Sequence, residues 1–129
     1  MSAKQPCGAV VLHGFSANPA AVAVMADMTR SMGLPTRSPV LRGHNSVPAD
    51  LLKVTKDDWV SDARDAVREV LEEADSVVII GHSMGACVSI VLACEDAFKG
   101  KIKGLVVLCV PLLCAACTDQ SSLRTAHLR

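Results

Sequence analysis

Ser76 to Ile80 reads SVVII and runs without a break into Gly81-His82-Ser83-Met84-Gly85, followed by small and apolar residues. A short continuous β-branched run is the pattern of a strand buried on both faces. The apolar stretch behind it, Met84 to about Phe98, predicts a helix. The residues between must turn the chain sharply from strand to helix. A serine with a glycine two residues away on each side suits such a turn, because the serine takes a strained backbone conformation and its neighbours must lack bulk. That geometry lifts Ser83 Oγ above the C-terminal edge of the sheet and leaves it at a helix N-terminus. There the Met84 amide and the helix dipole can stabilise a developing oxyanion.

The rest of the chain repeats the same alternation. Ala9 to Leu12 (AVVL) reads as a buried strand between Gly8 and Gly14. Asn18-Pro19 reads as an N-cap with proline at the first helical position, opening a helix to about Met32 with Gly33 at its C-terminal stop. Thr36 to Val40 is a weaker strand framed by Pro35 and Pro39. Leu41 to Val54, with Gly43, Asn45, Ser46 and Pro48, reads as a long loop with one helical turn. Thr55 and Asp58 have capping-box spacing. Behind them Trp59, Val60, Ala63, Ala66, Val67, Val70, Leu71 and Ala74 recur at helical spacing, which is an amphipathic helix. Leu105 to Val110 (LVVLCV) is a fourth strand. Continuous apolar strands alternating with helices predict an α/β fold: a mostly parallel sheet with helices on both faces. The expected domain is a partial core over residues 1–113, truncated after the strand near 105–110, with an irregular tail over 114–129.

Composition narrows the function classes. Lys plus Arg number 13 and Asp plus Glu number 13, so the formal charge is zero, which argues against an electrostatic nucleic-acid binder. Phe15, Trp59 and Phe98 are the whole aromatic set, too few for a base-stacking platform. Cys114 and Cys117 form a C-x-x-C, but no second pair or His pair completes a zinc site. No metal and no cofactor are expected. Cys7, Cys87, Cys94 and Cys109 fall mostly in apolar runs, as small buried hydrophobes do. With no apolar signal core near Met1 to Pro6, a reducing cytoplasm is the expected compartment. No uncharged run reaches the length of a membrane span.

The first strand ends in His13-Gly14-Phe15. In an open parallel sheet functional groups gather at the strands' C-terminal ends, and both this segment and Ser83 lie at such ends. The chain here resembles the α/β-hydrolases, and among them the small carboxylesterase and monoacylglycerol-lipase-like serine hydrolases. The resemblance rests on VVLHGFSANPAAV, LRGHNSVPADLLKVTKDDWVSDA, SVVIIGHSMGACVSI and IKGLVVLCVPL, and spans about Gly8 to Leu113. It implies Ser83 as nucleophile and the Phe15 and Met84 amides as oxyanion hole. Gly81, His82, Gly85, His13 and Gly14 are implied as elbow and loop support. His44 is expected to fix its loop or line the pocket. The implied substrate is a small ester or acylglycerol.

That family orders its triad as Ser, then acid, then His. Asp119 and His127 follow Ser83 in that order, but no strand precedes either to position it. Three readings result: the N-terminal part of a serine esterase or lipase, a non-catalytic interaction protein, or half of a split enzyme. In each, the Leu105–Val110 strand is expected at an exposed edge, open to self-association or a partner chain.

Overall fold

A computed structural model describes residues 3–111 of the chain. Asp119, His127, Cys114, Cys117 and the expected tail lie outside the described residues. Four strands form one parallel sheet in the order β2-β1-β3-β4. The strands are β1 (Gly8–Leu12), β2 (Thr36–Arg37), β3 (Val77–His82) and β4 (Ile102–Leu108). Three helices connect them: α1 (Ala23–Ser31), α2 (Lys56–Glu73) and α3 (Met84–Ala93). β1 and β3 pair from Gly8 with Val77 through Leu12 with Gly81, so the ends of both central strands reach one edge together.

Side-chain alternation divides the core between the two faces. Val10, Leu12, Val77 and Ile79 pack against Trp59, Ala63, Ala66, Val67 and Val70 of α2 and against Val88 and Leu92 of α3. Val11 and Ile80 point the other way, onto Val22 just before α1 and Ala26 within it. α2 is the helix its spacing predicts. Its Thr55 N–H donates to Asp58 Oδ2 at 2.8 Å, the reciprocal bond of a capping box with Asp in the usual Glu place.

Element ends depart from the sequence reading, each for a local reason. The helix expected from Pro19 begins as a 3₁₀ turn over Pro19–Val22 and becomes α-helical only at Ala23. Asn18 Oδ1 accepts from Ala20 N–H at 2.9 Å, as an N-cap should. The second strand shrinks to two residues; Pro39 has no N–H to give a ladder. The third helix stops at Ala93 rather than Phe98. Beyond it Glu95 pairs with Arg64 through two bonds of 2.7 and 3.0 Å, and Phe98 turns into the core. β4 starts at Ile102, earlier than expected, and ends at Leu108, before Cys109 takes a φ of +52°. It is an edge of the described sheet, with Val106, Val107 and Leu108 exposed. No helix among the described residues is long and apolar enough to cross a membrane.

Candidate active site

The turn between β3 and α3 has the strain its sequence implies. Ser83 has φ +54° and ψ −117°, a region L-residues avoid and whose occupation costs about 1–3 kcal/mol. What holds it there is close packing on either side. A Cβ on Gly81 would strike the Gly85 carbonyl and lie 2.7 Å from Ala86 Cα. One on Gly85 would strike Leu12 O and lie 2.7 Å from His13 O. The start of α3 thus rests directly on the end of β1. Ser83 N–H donates to Leu108 O at 2.8 Å and its carbonyl accepts from Ala86 N–H at 2.9 Å, so the elbow is tied to both β4 and α3.

The loop after β1 lies against this turn. A Cβ on Gly14 would sit 3.2 Å from Ser83 Cβ and 3.4 Å from His82 Nδ1. Glycine lets the loop carry Phe15 up to the elbow, and the His82 ring is turned toward Gly14. Met84 opens α3, and among the described residues neither its N–H nor that of Phe15 donates to a protein acceptor. Two amides without an acceptor among the described residues therefore follow the ends of the two central strands.

His13 is fully buried behind this loop and both its nitrogens are engaged. Leu41 N–H donates to Nε2 at 3.1 Å, so Nε2 carries no proton, and Nδ1–H donates to Gly14 O at 2.8 Å. The ring is a brace between the β1 loop and the loop after β2. Burial holds its pKa below the ordinary 6.5, the Gly14 bond opposes that, and the neighbouring His44 ring adds to the depression. A depressed pKa means that the unfolded chain binds the proton first as pH falls. The stability from neutral His13 is present above pH 6.5 and is lost below it, down to the folded-state pKa. The thermal midpoint is expected to drop as pH falls below 6.5, with a flatter profile in His13→Asn. Equal slopes in both proteins would assign the loss to other groups.

The sequence reading missed how far the loop after β2 is stitched to the site. Leu41 O accepts from His44 Nδ1 at 2.9 Å, Trp59 Nε1–H donates to Arg42 O at 2.9 Å, and Arg42 N–H donates to Asp62 Oδ2 at 2.7 Å. His13, His44, Phe15 and Trp59 form one aromatic nest with ring centroids 4.9–6.0 Å apart. Trp59 carried a helical-spacing signal only. Its contact with Phe15 joins residues 44 positions apart and leaves no local trace.

Among the described residues Ser83 Oγ makes no hydrogen bond, and no three His, Cys, Asp or Glu residues gather as a metal site. The described residues at this turn therefore present a serine at φ +54° and, at the ends of β1 and β3, two amides that no described residue accepts from. The family model described as the Alpha/beta hydrolase family matches residues 9–128.

The chain belongs to the α/β-hydrolase family.

Among α/β-hydrolases it is similar to a carboxylesterase of Bacillus subtilis (strain 168), 28% identical over 104 residues, covering 80% of this chain and 41% of that protein. A thermostable monoacylglycerol lipase of Bacillus sp. (strain H-257) is 26% identical over 88 residues, covering 68% and 35%. A solved structure from work on two metagenome-derived lipolytic enzymes, LipS and LipT, superposes with a TM-score of 0.74 at 28% identity, covering 82% of this chain and 42% of that one. An epoxide hydrolase of Vigna radiata shares the fold with a TM-score of 0.66 at 24% identity, over 96% of this chain and 40% of that one. The chain thus spans about two fifths of the length of the relatives it matches.

Proposed function

We propose that this α/β-hydrolase chain carries the nucleophile and oxyanion hole of a carboxylic-ester hydrolase, with Ser83 as the nucleophile. The observation that carries the reading is the backbone of Ser83, held at φ +54° at the head of α3 between two free amides. Ser83 Oγ attacks the ester carbonyl, forming an Oγ–C bond while a base takes its proton. The Phe15 and Met84 amides hold the oxyanion. The C–O bond to the alcohol then breaks, and the alcohol leaves with that proton. Water hydrolyses the acyl-enzyme by the same steps in reverse. The relatives' names, carboxylesterase and monoacylglycerol lipase, support small esters or acylglycerols as the substrate class.

The base and acid come from beyond the described residues. Asp119 and His127 have the right chain order for them. A second reading, half of a split enzyme, is supported by the exposed edge strand β4, which leads directly from the elbow through the bond between Ser83 and Leu108. In that reading a partner chain supplies the acid and base along β4. The non-catalytic reading has no comparable support, because a binding surface has no use for a strained serine.

Fluorophosphonate labelling of the purified chain, read by intact mass and peptide mapping, tests the proposal. One adduct on the peptide containing Ser83 is expected. A folded, monomeric chain that stays unlabelled would overturn the self-sufficient form of the reading. Label at another residue would overturn the assignment of Ser83.

A further inference from the structure

The His44 ring has one nitrogen that the protein does not use. Its Nδ1 faces two carbonyl oxygens, Leu41 O at 2.9 Å and Arg42 O at 3.2 Å, so Nδ1 carries the proton. The ring is only 6% exposed and its centroid lies 4.9 Å from the buried His13 ring. In the tautomer with its proton on Nδ1, Nε2 presents a lone pair. That atom is buried and has no partner among the described residues. An acceptor left in that state has lost the hydrogen bond that water gave it in the unfolded chain.

None of the ring's neighbours can repair this. His13 gives its proton to Gly14 O, and Trp59 gives its N–H to Arg42 O. Phe15, the remaining member of the nest, has no polar atom in its side chain. A donor must come from outside these side chains. A lone pair repels anions, and a single imidazole without further ligands is a poor metal site. A small neutral O–H group fits. Phe15 is 57% exposed and packs edge-on against both His44 and Trp59, with centroids 5.9 and 6.0 Å away. It is the wall through which such a group would enter.

We propose that His44 Nε2 is the acceptor of a hydroxyl subsite beside the oxyanion loop, filled past Phe15 by water or by a free hydroxyl of an alcohol. The alcohol source rests on the ester-hydrolase reading and deepens it: the product alcohol, or a substrate with a spare hydroxyl such as a monoacylglycerol, would be held on the Phe15 side of the elbow.

Nitrogen NMR of the ¹⁵N-histidine-labelled full chain tests this without turnover, so a failed Ser83 labelling leaves the result readable. His44 is assigned by loss of its signals in His44→Phe. The expected spectrum has His44 protonated on Nδ1, with Nε2 shifted upfield from the position of an unbonded imine nitrogen. If glycerol shifts it further, saturably, and dimethyl sulfoxide does not, the hydroxyl comes from an alcohol. An upfield signal that ignores glycerol assigns the subsite to water. Phe15→Ala should tighten the glycerol response in the first case and leave the second unchanged. An Nε2 at the unbonded position with and without glycerol overturns the proposal, and so does a proton on Nε2.

Discussion

Gly85→Ala is expected to cost the fold about 3 kcal/mol, at the upper end of the usual range for overpacking. The added methyl has nowhere to go. It meets Leu12 O, at the end of the fully buried β1, and His13 O just after it, backbone atoms that cannot rotate aside. To admit it, α3 must lift from β1, and the elbow moves with the helix. In a domain of this size each kcal/mol lowers the thermal midpoint by about 4 °C or more. Set against a typical total of about 5–15 kcal/mol, the loss is a large fraction of what holds the chain folded. Gly100→Ala is the comparison: its φ of +77° strains an alanine by about 1–2 kcal/mol, but nothing lies within 4 Å of the added atom. Thermal unfolding by circular dichroism should show a moderate drop for Gly100→Ala, from backbone strain alone, and a larger one for Gly85→Ala, from the clash. Equal midpoints would mean that α3 does not rest on the end of β1.

Ser83→Ala is expected to remove fluorophosphonate labelling and to lower ester turnover by a factor on the order of 10⁶ wherever the wild-type protein turns over. The two amides survive the substitution, so a residual rate of about 10³–10⁴ over water is expected to remain. Hydrolysis of a p-nitrophenyl ester, wild type beside variant, reads the ratio directly. A ratio near one in an active preparation would place the chemistry elsewhere. Ser83→Gly separates chemistry from strain. It loses the same hydroxyl but releases about 1–3 kcal/mol of backbone strain, offset by about 0.5–1 kcal/mol of glycine's extra freedom in the unfolded chain. A higher thermal midpoint in the dead Ser83→Gly variant is the expected sign that the serine is held against its own preference.

These two substitutions fall where the sequence was most readable, and the reason is locality. SVVII, the two glycines and Ser83 lie within ten consecutive positions, so period and spacing define the turn without help from distant residues. The capping box of α2 was legible for the same reason. Legibility fails where a contact crosses the sheet. The end of α3 depends on Arg64, thirty-one positions from Glu95. The brevity of β2 reflects Pro39 together with an edge position that only the sheet order reveals. The role of His44 depends on Phe15 and Trp59, which are distant in sequence and come together only when α2 docks. His13 was read as support for its own loop, and its bond from Leu41, twenty-eight positions on, had no local signal in the sequence.

Leu41 has its backbone N–H held by one buried imidazole and its C=O by another. In hydrogen–deuterium exchange, Leu41 should behave as part of the sheet. Its amide should exchange on the timescale of β1, while Ser46 and Val47, a few residues further on, exchange with solvent early. The long loop would then contain a short segment that opens only in global unfolding, anchoring the loop to the end of β1.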